Sequence, residues 1–203
     1  MTLPDWKAED YYSNFESFFY SGPLVNAPIE LKATKILQYL RDTVIPDAMK
    51  AISYNSELSG LLLVFSVVDY LAGFYCGKNT RMKDVVNFME KYFPSVYKPY
   101  LNDIYQHIRC GLVHTLSLSN PWKNNSFSFK LIKNSKFHLQ FKDGFVIFSI
   151  MIFTQDTSRA AFMYLHDVIN SKDNNCLIRE NFVKRFNKKG GAASCMENTN
   201  DDF

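Results

Sequence analysis

The chain has 203 residues, enough for one domain of ordinary size, and 47% of them are hydrophobic. With 18 Phe and 12 Tyr it can bury a large aromatic core, which excludes a disordered or fibrous protein. The net charge of +3 is too small to mark a nucleic-acid-binding protein by composition, although a local basic patch is compatible with it.

The cysteines and the first residues favour a reducing, cytoplasmic setting. No two of the four cysteines form a CxxC pair, so we expect free thiols and no disulfide framework. The opening sequence MTLPDWKAEDYY is acidic and aromatic, and it lacks the basic and apolar regions of a signal peptide. We therefore expect a cytoplasmic protein without a cleaved leader.

The first half of the chain predicts an extension followed by helices. Residues 1–27 are rich in aromatic and turn-forming residues, and we treat them as an extension that precedes a main domain at 28–187. Apolar residues at helical spacing predict a helix over 29–49, which Pro46 should bend or interrupt. A further helix is expected over 81–92, capped by Thr80.

Between these two helices, the segment 58–75 is apolar on every face, with Ser56 as a plausible N-cap and Gly77 as the stop. Such a helix is normally the central, enclosed one. Because it contains serines, glycines and Asp69, a core helix is favoured over a membrane span, and we expect no membrane association. A carboxylate in these surroundings is costly unless it is paired, so Asp69 predicts a partner such as Arg109 or a Tyr hydroxyl.

The second half predicts a β insertion at 126–153 within the helical domain. Phenylalanines there alternate with polar residues, and Asp143-Gly144 indicates a tight turn. We expect a small antiparallel hairpin or meander of two or three strands, with Phe127, Phe129, Phe137 and Phe141 on its buried face. Stacking of nucleic-acid bases on those rings is the alternative.

Helices over 156–170 and 176–187 should follow, and residues 188–203 lack apolar periodicity and predict a disordered tail. The basic residues Lys184, Arg185, Lys188 and Lys189 are most simply a solvated helix face. The fold class is therefore mainly α, a bundle of about five to seven helices with a small β insertion.

The most informative feature is the hexapeptide Arg109-Cys110-Gly111-Leu112-Val113-His114 at the end of an amphipathic helix over 100–114. An Arg supplies a fixed cation whose planar donors fit phosphate oxygens. A His supplies a proton acceptor or donor with an unperturbed pKa of about 6.5. Together they form a minimal set of groups for metal-free cleavage of a phosphodiester.

On a regular helix, at about 100° per residue, His107 and His114 share a face with Asp103, opposite the apolar stripe. Arg109 lies about 140° away from His114 on the same wheel. Convergence of the two groups then requires either that Gly111 loosens or ends the helix, or that a second copy of the chain completes the site. His107 and Asp103 are supporting candidates, and His107 is most simply a solvated surface histidine.

The pattern Arg109-x4-His114, late in a helical domain, resembles the Arg-x4–6-His signature of the HEPN superfamily (higher eukaryotes and prokaryotes nucleotide-binding). The resemblance covers roughly residues 28–170. It implies an all-α bundle, a homodimer formed through the motif helices, and metal-independent endoribonuclease activity with Arg109 and His114 as the catalytic residues. An acidic or polar residue on an earlier core helix is frequent in the family, and the resemblance implies that Asp69 has this role and orients Arg109.

Two features depart from the family pattern. Cys110 follows the Arg, where the family commonly has Asn, His or Asp, and the β insertion is not part of the minimal bundle. Many family members act in toxin–antitoxin, CRISPR or phage-defence systems, so RNA and an antitoxin or regulatory protein are the implied partners. Others have lost catalysis and act as binding or assembly modules.

Two functions therefore stand as hypotheses. The first is a homodimeric, metal-independent endoribonuclease of a defence or toxin-type system, which needs no cofactor. The second is a non-catalytic HEPN-like dimeric module that binds RNA, a nucleotide or a protein, in which Arg109 and His114 are structural. No metal site is predicted, because His138 and His166 lack ligand spacing with any cysteine, and no phosphate-binding loop is present.

Overall fold

A computed structural model describes residues 24, 26–115, 128–170 and 177–190, with the backbone alone at 114–115 and 188–190. Within these ranges the protein is mainly helical with a small three-stranded sheet, which confirms the predicted fold class. The aromatic extension lies almost entirely outside the described residues, as does the tail beyond residue 190. The helices of nine residues or more in the described part are α1 Ile29–Tyr39, α2 Ile45–Ser53, α3 Glu57–Cys76, α4 Met82–Tyr92, α5 Ile150–Asn170 and α6 Leu177–Gly190.

Pro46 interrupts the first predicted helix. A π-helical segment, Leu40–Val44, joins α1 to α2, and Pro46 occupies the first turn of α2. Since proline has no N–H, it cannot donate to the carbonyl one turn earlier, so the regular ladder of hydrogen bonds breaks just before it. The predicted helix over 29–49 is therefore two α-helices joined by a wider turn.

The apolar helix α3 is at the centre of the bundle, as its composition predicts. It contacts α2, α4, α5 and α6, although Leu58, Ser59 and Ser66 are exposed. Ser56 stands at the N-cap without a side-chain hydrogen bond, and Gly77 ends the helix at φ 69°. By length and composition α3 is able to cross a membrane, but 56% of its most apolar window is buried inside the protein, as in the core helix of a soluble protein.

Three helix ends differ from the prediction. Arg81, not Thr80, is the N-cap of α4, because the Asp84 carboxylate accepts the Arg81 N–H at 3.0 Å. α5 begins at Ile150, six residues early, where the Ser149 hydroxyl accepts the N–H of Ile152 at 3.5 Å. α6 continues to Gly190, into the segment expected to be disordered.

The sheet is not the predicted antiparallel meander. Among residues 128–170 it consists of β1 Phe129–Ile132, β2 Phe141–Lys142 and β3 Phe145–Ser149, in the order β1-β3-β2. The predicted hairpin is present: β2 and β3 are antiparallel, and Asp143 and Gly144 both have positive φ, as a type I′ turn requires. However, β1 pairs with β3 in parallel, because residues 133–140 turn back instead of forming a strand.

A chain of hydrogen bonds involving His138 joins the sheet to the helices. Its Nδ1 accepts the Ser149 N–H at 2.9 Å, so the neutral ring carries its proton on Nε2. Nε2 lies 2.8 Å from the Tyr97 hydroxyl, which donates to the Asp156 carboxylate at 2.8 Å. Tyr97 belongs to a 3-10 helix, Ser95–Tyr100, so the chain joins the sheet, this helix and α5.

Burial lowers the pKa of His138 from 6.5 to about 4 and raises the pKa of Asp156 above its usual range. Between pH 6.5 and about 4, His138 therefore binds a proton in the unfolded protein but not in the folded protein. The contribution of His138 to stability is complete above about pH 6.5 and decreases as the pH falls toward 4. The raised pKa of Asp156 has the opposite effect, so the His138 contribution must be isolated by comparing variants.

We predict that His138→Gln, which cannot titrate, flattens the fall in unfolding free energy between pH 6.5 and 4.5. The wild-type slope should exceed that of the variant by up to about 1.4 kcal/mol per pH unit. Urea denaturation at several pH values measures both slopes. His166→Gln, at an exposed histidine of α5, is the matched control and should leave the slope unchanged. If the plots of unfolding free energy against pH were parallel for wild type and His138→Gln, the lowered pKa of His138 in the folded protein would be contradicted.

Candidate functional site

The helix that carries the Arg-x4-His motif contains a π-helical segment. It runs without a break through Leu101–Asp103, the π-helical Ile104–Cys110 and the α-helical Gly111–Thr115, together called the motif helix. Gly111 has helical angles, φ −58° and ψ −48°, and is buried, so it neither loosens nor ends the helix. The irregularity instead precedes Gly111 and includes Arg109. Such wide turns often occur at functional sites.

His107 is not the surface histidine that the regular wheel predicts. It is only 2% exposed, and its Nε2 lies 3.6 Å from the Asp103 carboxylate. A π-helical turn contains more residues than an α-helical turn, so each residue advances by a smaller angle than the wheel assumes. The wider turn thus brings His107 into the core beside Ile104 and Ile108.

Arg109 and Asp69 form an ion pair between the motif helix and α3. The Arg109 Nε and Nη2 atoms both donate to Asp69 Oδ2, at 3.0 and 2.8 Å. The side chains are 25% and 20% exposed, so the pair lies at the edge of the core, within reach of solvent. The sequence prediction that Arg109 is the partner of Asp69 is confirmed.

The second oxygen of Asp69 is not used in this pair. Oδ1 is buried and accepts no hydrogen bond within the part of the chain that the structure describes. Burial outweighs the attraction of Arg109 and raises the pKa of the Asp69 carboxyl above its usual value. The Arg109 guanidinium also lies over the Tyr105 ring, at 5.3 Å from its centroid, so it is held from two sides.

The outward side of the motif helix exposes both polar and apolar groups. Asn102 and Val113 are exposed, Val113 by 50%, and Gln106, Arg109 and Cys110 are partly exposed. Arg109 thus lies on a face with an apolar residue one turn away. His114 belongs to the last turn of this helix, but its side chain lies outside the described residues.

The predicted site residues fall into two pairs. Asp69 and Arg109 form one, with both side chains partly exposed, and Asp103 and His107 form the other, in which only His107 is buried. The paired Nε and Nη2 edge of Arg109 faces Asp69, so Nη1 is the guanidinium nitrogen outside this ion pair. In the described ranges no group of three or more His, Cys, Asp or Glu side chains is placed to bind a metal ion.

Sequence reasoning missed the partly buried chain of hydrogen bonds His138–Tyr97–Asp156. Its members are separated by 41 and 59 residues, so no local spacing pointed to it. The only sequence signal was a histidine flanked by Phe137 and Leu139 in a segment expected to be half-buried. The predicted basic cluster is partly engaged, because Arg185 donates to the Asn79 side chain at 2.6 Å.

Comparisons with known proteins identify no relative. No family model matches the chain, and no curated protein or solved structure is detectably similar to it.

We predict that the Asp69–Arg109 pair stabilises the fold cooperatively. Asp69→Asn and Arg109→Gln should each lower the unfolding free energy by about 1–2 kcal/mol, because each leaves a partly buried group without its partner. The double variant should lose less than the sum of the two, with a coupling energy of about 1 kcal/mol. Urea denaturation of the four proteins measures this cycle.

The exposed pair Asp47–Lys50, at 3.4 Å, provides a control cycle with side chains 41% and 70% exposed. Its coupling energy should be below about 0.5 kcal/mol, since water screens it. If the cycle at Asp69 and Arg109 were as weak as this control, the pair would not be a stabilising link between α3 and the motif helix.

Proposed function

We propose that the protein is a metal-independent endoribonuclease of HEPN type, with Arg109 and His114 as its catalytic residues. The observation that carries the proposal is the partly exposed Arg109, held by Asp69 and Tyr105 on a helix that also contains His114. A guanidinium fixed in this way is ready to bind a phosphate without reorganising.

In the proposed reaction, His114 removes the proton from a ribose 2′-hydroxyl, or protonates the departing 5′-oxygen, and water carries out the other proton transfer. The 2′-oxygen attacks the adjacent phosphorus, and the bond from phosphorus to the 5′-oxygen breaks. Arg109 binds the phosphate and stabilises the charge that grows on its non-bridging oxygens. The products are a 2′,3′-cyclic phosphate and a 5′-hydroxyl, and DNA is spared because it has no 2′-hydroxyl.

A second copy of the chain completes the site in this proposal. A single helix places one Arg109 and one His114 five residues apart, whereas two antiparallel motif helices bring two such pairs to one groove. The exposed Val113 beside Arg109 and Cys110 supports this arrangement, because an apolar residue at the middle of a dimer interface is shielded from water. We place the protein in the cytoplasm, in a defence or toxin-type system with an antitoxin or regulatory partner.

The alternative function is a non-catalytic dimeric module that binds RNA or a partner protein. The observation that favours it is the ion pair itself, since Asp69 already occupies two donors of Arg109. In this case Arg109 only balances the charge of a carboxylate on the central helix, and His114 has no chemical role.

We predict that the purified protein cleaves a labelled mixed-sequence RNA in excess EDTA and leaves cyclic phosphate ends. His114→Ala should slow cleavage by roughly 10²–10⁴-fold, because general acid–base catalysis is lost. Arg109→Lys retains the charge but not the planar fork, so it should also lose activity while it still folds. Gel electrophoresis with end-group analysis measures both effects.

His166→Ala is the matched control, since this histidine is exposed and belongs to α5, not to the motif helix. A substrate with a single 2′-deoxynucleotide should resist cleavage at that position alone. Equal activity of wild type and His114→Ala would rule out the proposed chemistry. RNA binding without cleavage by folded wild-type dimer would favour the non-catalytic module.

A further inference from the structure

The β insertion exposes aromatic rings where the sequence predicted a buried face. Phe129 is buried against the helices as expected, but Phe137 is exposed and so are Phe141 and Phe145, by 63% and 42%. The register explains the exposure of Phe145 alone. Phe145 alternates with the core-facing Val146, so it lies on the outward side of the sheet with the exposed Lys130 and Lys142, although Ile147 on that side is buried. Phe141 is paired with Val146 and is nevertheless exposed at the start of the two-residue strand β2, Phe137 belongs to no strand, and residue 127 lies outside the described residues.

Lysines surround the rings on this outward side. The Lys142 Nζ lies 4.8 Å from the Phe137 ring centroid, and the Lys136 Nζ lies 5.3 Å from it. Phe137 thus holds two ammonium groups in place through cation–π contacts. We call the set Lys130, Lys136, Phe137, Lys142 and Phe145 the outer sheet face.

The charge of this segment is one-sided. Residues 128–149 contain four lysines and one carboxylate, Asp143 in the hairpin turn. The Phe145 ring is 42% exposed and makes no ring–ring contact among the described residues, so part of it is accessible to a ligand. A surface that combines fixed ammonium groups with an open aromatic ring fits a polyanion that also carries flat apolar groups.

We propose that the outer sheet face binds single-stranded RNA, with a base stacked on Phe145 and backbone phosphates on the three lysines. Proteins commonly bind single-stranded nucleic acids by stacking bases on aromatic rings and by contacting phosphates with lysines. An acidic peptide uses the lysines but gains little from the open ring. Lysines alone also protect the edge of a sheet from aggregation, but that role does not explain the exposed Phe145.

The proposal deepens the proposed function, since it rests on RNA as the ligand and adds the surface that holds the strand. Binding is nevertheless separable from cleavage. All binding measurements therefore use His114→Ala as the background, in which RNA remains intact whether or not the wild type is a nuclease.

The test measures the Kd for a fluorescein-labelled 12-nucleotide single-stranded RNA by anisotropy, at several salt concentrations. Phe145→Leu keeps the apolar character but removes the ring, and it should weaken binding by roughly 5–100-fold. Phe145→Trp should restore the affinity, because Trp also stacks. Lys130→Gln combined with Lys142→Gln should reduce the slope of log Kd against log salt by about 1.4, or about 0.7 for each lost phosphate contact.

Two matched controls make the result specific to this face. Phe141→Leu removes an exposed ring from the same hairpin, at a residue that is paired with Val146 and is not part of the outer sheet face. Lys83→Gln removes an exposed lysine of α4. Neither should change the Kd by more than about twofold. Circular dichroism and urea midpoints show whether each variant is folded.

The outcomes separate the two proposals. Loss of RNA binding in Phe145→Leu, with no cleavage by wild type, supports the outer sheet face and overturns the nuclease. Cleavage by wild type with unchanged binding in the Phe145 and lysine variants overturns the outer sheet face alone. Binding to vesicles of phosphatidylserine and phosphatidylcholine that persists in Phe145→Leu, without RNA binding, also overturns it and identifies a membrane surface instead.

Discussion

The carboxylate of Asp69, on the central apolar helix, constrains how the bundle is assembled. A charge in that position requires a cation, and Arg109 supplies it from a helix 40 residues later in the chain. Because both Nε and Nη2 bind one oxygen of Asp69, the guanidinium is fixed in direction as well as position. The ion pair therefore determines which side of the motif helix faces α3 and which side faces solvent.

The π-helical turn reconciles this constraint with the rest of the core. Ile104, Ile108 and Leu112 must all be buried, and Arg109 must still reach Asp69. A wider turn satisfies these requirements and also places His107 inside the protein. π-Helical turns are rare and frequently occur at functional sites, so the turn around Arg109 is consistent with a role beyond packing.

The sequence was sufficient where local patterns determine the structure. Helical spacing predicted the main helices, a lone carboxylate predicted a cationic partner, and Asp143-Gly144 predicted the hairpin. It was insufficient where the outcome depends on distant parts of the chain. The run 145–153 is apolar apart from Ser149, so its pattern does not reveal that a strand becomes a helix at Ser149.

The same limit applies to the site and to the sheet. The helical wheel assumes a regular helix, so it placed His107 on the surface and could not foresee the turn around Arg109. Alternation along 127–141 predicted rings that share a buried face, but of the described rings only Phe129 is buried, because residues 133–140 turn back instead of continuing the strand. The His138–Tyr97–Asp156 chain joins three elements, and no local pattern indicates such a contact.

In the proposed enzyme, the two RNA-contacting surfaces contribute to different steps. Contacts at the outer sheet face are made equally by bound RNA and by the transition state, so they lower KM without raising kcat. Arg109 stabilises phosphate charge that grows only in the transition state, and His114 transfers a proton only during the reaction, so both residues act on kcat. Lysine serves the first purpose well as a point charge, whereas the fixed planar fork of arginine suits the second. Under this proposal, the exposed lysines of the sheet act in binding, and the single arginine of the motif, held by a carboxylate and a tyrosine ring, acts in the chemical step.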